Sequence, residues 1–205
     1  SIFKKTLTSS PKNYFDESAL PSYTHKNKLM SYLFWNRLNT AFNLAGDLKG
    51  KKVLDFGAGG GVTFKYLAEK GSEVYACEKE FYELTKNVAE ILKLKIPVYT
   101  DIMGINDIKF DIIFALDVLE HIENLEPILK KFLQLSHKDS KFIISGPTEN
   151  FLYKIGRFLA GFKGHYHLKN IYDIERDLEK AGLKLLKVKR LYPPVTLFRI
   201  SLWEI

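Results

Sequence analysis

Hydrophobic and polar positions follow two different periods along this chain, and their alternation predicts its architecture. Residues 51–56 place Val53, Leu54 and Phe56 in a short apolar run behind two lysines, the pattern of a strand buried on both faces. Comparable runs recur at 73–77, 97–100, 110–116 and 141–145, the last broken by Gly146, Pro147 and Thr148. Between them the period lengthens to that of a helix. Residues 62–70 end at the stop signal Gly71, and 81–94 carry Leu84, Val88, Ile91 and Leu92 on one face. Residues 124–135 start with Asn124 as N-cap, Glu126 early and Pro127 in the first turn. Strands alternating with helices of this length predict an α/β fold with a doubly wound, mostly parallel sheet, whose ligands bind outside the carboxyl ends of the strands.

The flanks are less regular. Residues 1–22 read as an irregular arm, and 26–44 as one amphipathic helix or two short ones, with Leu29, Met30, Leu33, Phe34, Leu38, Ala41 and Phe42 at helical spacing. After the fifth strand, Phe151, Leu152, Ile155, Phe158, Leu159 and Phe162 form a stripe with Lys154, Arg157 and Lys163 off it. That segment, 151–163, reads as a core-packed helix, a lid over a lipophilic substrate, or a basic helix in peripheral contact with a membrane. Its glycines at 156, 161 and 164 favour a mobile element. Residues 170–182 follow as a helix capped by Asn170 and stopped at Gly182, and 183–191 and 197–203 as two last strands around Pro193 and Pro194.

Composition narrows the class. The 205 residues are 46% apolar, enough for one α/β domain with both sheet faces covered. We divide it into an arm and helical cover (1–45), a ligand-binding core (46–150), a lid or substrate insert (151–170) and a last helix with a hairpin (171–205). The single cysteine, Cys77, excludes a disulfide framework and reads as a small core residue. No apolar run reaches the ~18 to 20 residues that span a bilayer, and no signal-peptide core is evident at the start, so a soluble, cytoplasmic protein is expected. The net charge of +7 comes from lysines scattered along the chain, a solvated surface rather than a specific nucleic-acid footprint.

The chemistry concentrates where the first strand ends. Asp55 precedes Gly57, Gly59 and Gly61, and glycines there let the backbone turn sharply while a ligand approaches closely. A dinucleotide fold wants Gly-x-Gly-x-x-Gly, whose third glycine lets helix and strand pack closely. Val62 stands in that place, which disfavours a nicotinamide cofactor. The second strand ends at Glu78, about twenty residues beyond the loop, where a carboxylate meets ribose hydroxyls.

Asp-x-Gly-x-Gly-x-Gly over 55–61, together with Phe110-Asp111 and Leu119-Glu120-His121, resembles the class I S-adenosylmethionine (SAM)-dependent methyltransferases of small-molecule type, including the ubiquinone-biosynthesis O-methyltransferases. The resemblance implies a seven-stranded sheet in the order 3-2-1-4-5-7-6, an antiparallel C-terminal hairpin and helices at the N-terminus covering the pocket. It implies SAM as cofactor, contacted by Arg37, Asp55, Gly57, Ala58, Gly59, Glu78, Lys79, Asp101, Ile102 and Leu116. Read as a residue alone, Arg37 is equally a solvent-facing arginine on a helix. The stretch from His165 to Gly182 is similar to a late family segment that opens on a histidine.

Methyl transfer is an in-line displacement, so the protein must align donor and acceptor, exclude water and, for a hydroxyl acceptor, remove a proton. His121 and His165 are the candidates for that proton, although Glu120 and His121 also suit a purely structural role at a helix start. No Asn-Pro-Pro-Tyr-like segment follows the fourth strand, against methylation of nucleic-acid amines, and no histidine, cysteine and carboxylate cluster has metal-ligand spacing. The expected function is methyl transfer to a small, lipophilic acceptor, most readily at oxygen. A lipid or RNA methyltransferase and a SAM-binding regulatory subunit without turnover are the alternatives.

Overall fold

The computed structural model describes residues 28–148, 168–194 and 196–205. Seven strands form one sheet: β1 (Lys52–Phe56), β2 (Glu73–Cys77), β3 (Val98–Tyr99), β4 (Phe110–Leu116), β5 (Ser136–Pro147), β6 (Lys184–Leu191) and β7 (Phe198–Glu204). Their order is β3-β2-β1-β4-β5-β7-β6, as the family resemblance implies. The first five strands run parallel, and β7 lies antiparallel between β5 and β6. The helices are α1 (Lys28–Ala45), α2 (Phe64–Glu69), α3 (Tyr82–Ile91), α4 (Glu126–Gln134) and α5 (Ile171–Lys180).

The parity of each strand divides the core in two, because successive side chains point to opposite faces. Val53, Ile112, Phe114, Ile143 and Ile200 turn to the face covered by α1, α2 and α3 through Phe42, Phe64, Leu67 and Val88. Leu54, Ile113, Phe142, Ile144 and Trp203 turn to the face covered by α4 and α5 through Leu129, Phe132, Ile174 and Leu178. Cys77 joins this second cluster as a buried core residue, and burial pushes its thiol up to about 12.

Several boundaries differ from those the sequence predicts. Strand β5 does not break at Gly146 but runs to Pro147, because Arg199 and Phe198 of β7 continue the ladder past the end of β4. Beyond Ser145 it has a neighbour on one side only, where proline is tolerated. Helix α2 starts at Phe64 rather than Val62, since Gly61 is left-handed and the Thr63 hydroxyl bonds Asp55 instead of capping the helix. At α4 the N-cap position is Leu125, with the Asn124 side chain accepting from the Glu126 N–H at 3.1 Å. Asn170 caps α5 as expected, accepting from the N–H groups of Tyr172 and Asp173 at 2.9 and 3.2 Å, and Asp173 closes a capping box.

Candidate functional site

The site is built on the carboxyl edge of β1, β2 and β4. Gly57 follows β1 with φ 76°, and an added Cβ there would stand 2.3 Å from a Val118 methyl carbon. Only glycine satisfies both the left-handed backbone and that approach. The Gly57 and Ala58 N–H groups both donate to the Cys77 carbonyl, at 2.8 and 3.3 Å, tying the loop to β2.

Glu78, the first residue past β2, organises the loop through its carboxylate. Its Oε2 accepts the Gly59 N–H at 2.7 Å, and its Oε1 accepts those of Glu80 and Phe81 at 3.0 and 3.1 Å. The Thr85 hydroxyl on α3 donates to the Gly59 carbonyl at 2.5 Å. The loop is thus held from the end of β2 and from α3.

Asp55 lies beneath the loop, only 2% exposed, and accepts a hydrogen bond from Thr63 at the start of α2. Burial pushes its carboxyl up to about 6 against the lowering effect of the Thr63 hydroxyl, and the Glu78 charge adds to the rise. Asp55 therefore joins the two ends of the loop and presents almost no surface to a ligand.

The opposite wall comes from α1 and the end of β4. Arg37 is not solvent-facing: it is buried, ion-paired with Asp117, with its guanidinium 4.8 Å from the Phe34 ring centre and 4.9 Å from that of Phe198. Asp117 directly follows β4 in the left-handed region, φ 53°, and also accepts from the Ser145 hydroxyl at 2.9 Å. The Tyr192 hydroxyl donates to the Leu33 carbonyl and accepts from Asn36, joining the β6–β7 turn to α1.

Of the other predicted site residues, Leu116 is half-buried at the end of β4, and Lys79 is exposed beside Glu78. Asp101 is exposed beyond β3, its carboxylate accepting from the Met103 N–H at 2.9 Å. Ile102 sits in the second core cluster, so only its backbone is available to a ligand. His121 is exposed on the short 3-10 turn Leu119–His121 that follows β4. His165 and the apolar stripe at 151–163 lie outside the described residues. Thr63, Thr85, Asp117, Ser145 and Phe198 join the site only in the folded structure. The hydroxyl eight residues after Asp55 and the carboxylate closing β4 carried usable signals.

A family model for a methyltransferase domain matches residues 29–188. The chain belongs to the SAM-dependent methyltransferases. Among curated proteins it is similar to the ubiquinone biosynthesis O-methyltransferase of Acinetobacter baylyi, 28% identical over 179 residues covering 78% of this chain and 75% of the relative. The Coxiella burnetii protein of the same name is 32% identical over 156 residues, covering 69% of this chain and 67% of the relative. In fold it resembles magnesium protoporphyrin IX methyltransferase from Synechocystis with bound SAH, with TM-score 0.68, 19% identity and coverage of 98% and 99% of the two chains.

SAM is thus the cofactor, and the residues present fit it. Glu78 accepts three N–H groups out of the roughly four lone-pair sites of a carboxylate, which leaves Oε2 open to a ribose hydroxyl. The glycines would let the rest of the ligand approach the loop backbone without side chains in the way.

Proposed function

We propose that this methyltransferase acts on an oxygen of a small, lipophilic acceptor. The observation that carries the reading is the similarity to ubiquinone biosynthesis O-methyltransferases over two thirds or more of their length. The aromatic character of the cover supports it: Tyr32 and Trp35 are exposed on α1.

Bound SAM supplies an electrophilic methyl group on its sulfonium. In this reading the chain's own groups do the rest. Glu78 and the glycine loop orient the cofactor, apolar side chains at the carboxyl edge exclude water, and a histidine takes the acceptor's proton. His121 stands on the turn that leaves that edge, and His165 is the other candidate.

The test is methyl incorporation from labelled SAM into matched acceptors: catechols with and without an isoprenoid tail, and the corresponding anilines. Turnover of the tailed catechols, lowered by about 10²- to 10⁴-fold when the base histidine is replaced by alanine, is expected. Faster turnover of the anilines, or indifference to the tail, would refute the oxygen or the lipophilic assignment respectively.

A further inference from the structure

We propose that Asp117 is a positioning residue of the cofactor site and that it couples docking of α1 to binding in the glycine loop. The inference rests on the SAM-site reading above and goes beyond it, because Asp117 is assigned no contact with the cofactor.

Three observations meet at this residue. Asp117 is held in the left-handed region, uncommon outside glycine, asparagine and aspartate, and so needs support from its surroundings. That support comes from Arg37 on α1 and from the Ser145 hydroxyl on β5. The next residue, Val118, presses onto Gly57, the first glycine of the loop, so closely that no Cβ would fit between them. The conformation of Asp117 therefore sets where Val118 stands, and Val118 sets the position of Gly57.

The Arg37 side of the pair is equally constrained. Its guanidinium lies between Phe34 of α1 and Phe198 at the start of β7, and Phe198 pairs with Pro147 at the end of β5. Moving α1 away from the sheet would withdraw the cation and leave Asp117 with Ser145 as its remaining partner among these contacts, in a partly buried setting where an uncompensated charge is costly. The cover helix holds the cation of this pair and the glycine loop packs on Val118, next to its anion, so in this proposal each influences the other, and by linkage the influence is reciprocal. Cofactor in the loop should tighten α1, and loosening α1 should weaken the cofactor.

The experiment combines titration of the full chain with S-adenosylhomocysteine and amide hydrogen exchange. The variants are Asp117→Asn, which tolerates the left-handed backbone and keeps an acceptor for Ser145, and the double variant Arg37→Met with Asp117→Asn, which removes both charges at similar volume. Glu78→Ala reports on the cofactor site itself. The expected result is an affinity about tenfold weaker in Asp117→Asn, still weakened in the double variant when its melting temperature returns to the wild-type value. In the wild type, S-adenosylhomocysteine should slow exchange across 33–45, and in both pair variants that protection should be lost.

A double variant that binds as tightly as the wild type would reduce the pair to a purely structural role and overturn the proposal, as would wild-type exchange in α1 that ignores the ligand. If Asp117→Asn does not fold, the wild-type exchange arm decides alone. Wild-type protein that fails to bind would overturn the cofactor reading together with this one. Binding abolished by Glu78→Ala but untouched in the pair variants would overturn this one only.

Discussion

Replacing Asp55 with asparagine removes a carboxylate that the fold buries and only partly compensates. Its folded value is pushed from 3.8 up to about 6, chiefly by burial. At ~1.4 kcal/mol per unit that shift corresponds to about 3 kcal/mol between the two protonation states. The sign follows from the direction. A carboxyl raised in the folded state adds stability that is full below its unfolded value of 3.8 and is lost as pH rises through about 6. Near pH 8 the native protein therefore carries the whole burden of the buried charge, and by pH 4.5 roughly 2 kcal/mol of it has been relieved. Asparagine cannot ionise, and its Oδ1 still accepts from Thr63, although its amide then needs a partner at a cost of about 1 to 3 kcal/mol if none is found. That last contribution does not vary with pH. The assay is urea unfolding of both proteins from pH 4.5 to 8. The stability of Asp55→Asn relative to the wild type should rise by about 2 kcal/mol across that range, wherever it starts. Parallel curves would show that Asp55 is charged at no cost, and the account of the loop's underside would be wrong.

Glu78→Ala releases three backbone N–H groups, each bonded to a charged acceptor, so affinity for S-adenosylhomocysteine should fall by two orders of magnitude or more, read by isothermal titration. Gly57→Ala should lower stability by about 2 kcal/mol or more in denaturant unfolding, because a left-handed alanine must also displace Val118. Asn170→Ala removes one half of the capping box of α5 and should cost about 1 kcal/mol, seen as a fall of a few degrees in melting temperature.

The sheet was legible in the sequence because each of its signals is local. Buried parallel strands read as apolar runs, and Gly71 and Gly182, both left-handed in the structure, punctuate the helices they follow. The strand order came from the family resemblance, since periodicity does not say which strands are neighbours. Gly57, Gly59 and Glu78 were legible for a related reason: a left-handed turn and a carboxylate at a strand end leave marks that spacing can find. Local signals failed where a side chain serves a distant partner. Arg37 shows helical spacing compatible with solvent, yet a carboxylate eighty residues on and the ring of Phe198 draw it into the interior. Thr63 reads as helix and instead closes the loop onto Asp55, shortening α2 at its start. Pro147 reads as a strand breaker and instead continues β5, because β7, arriving from the far end of the chain, supplies the ladder. The Thr63 contact closes within one loop, whereas those of Arg37 and Pro147 are made only once β7 has joined the sheet. The part of the site that sequence cannot show is therefore its wall of late, long-range contacts, and the Arg37 and Asp117 pair stands in that wall.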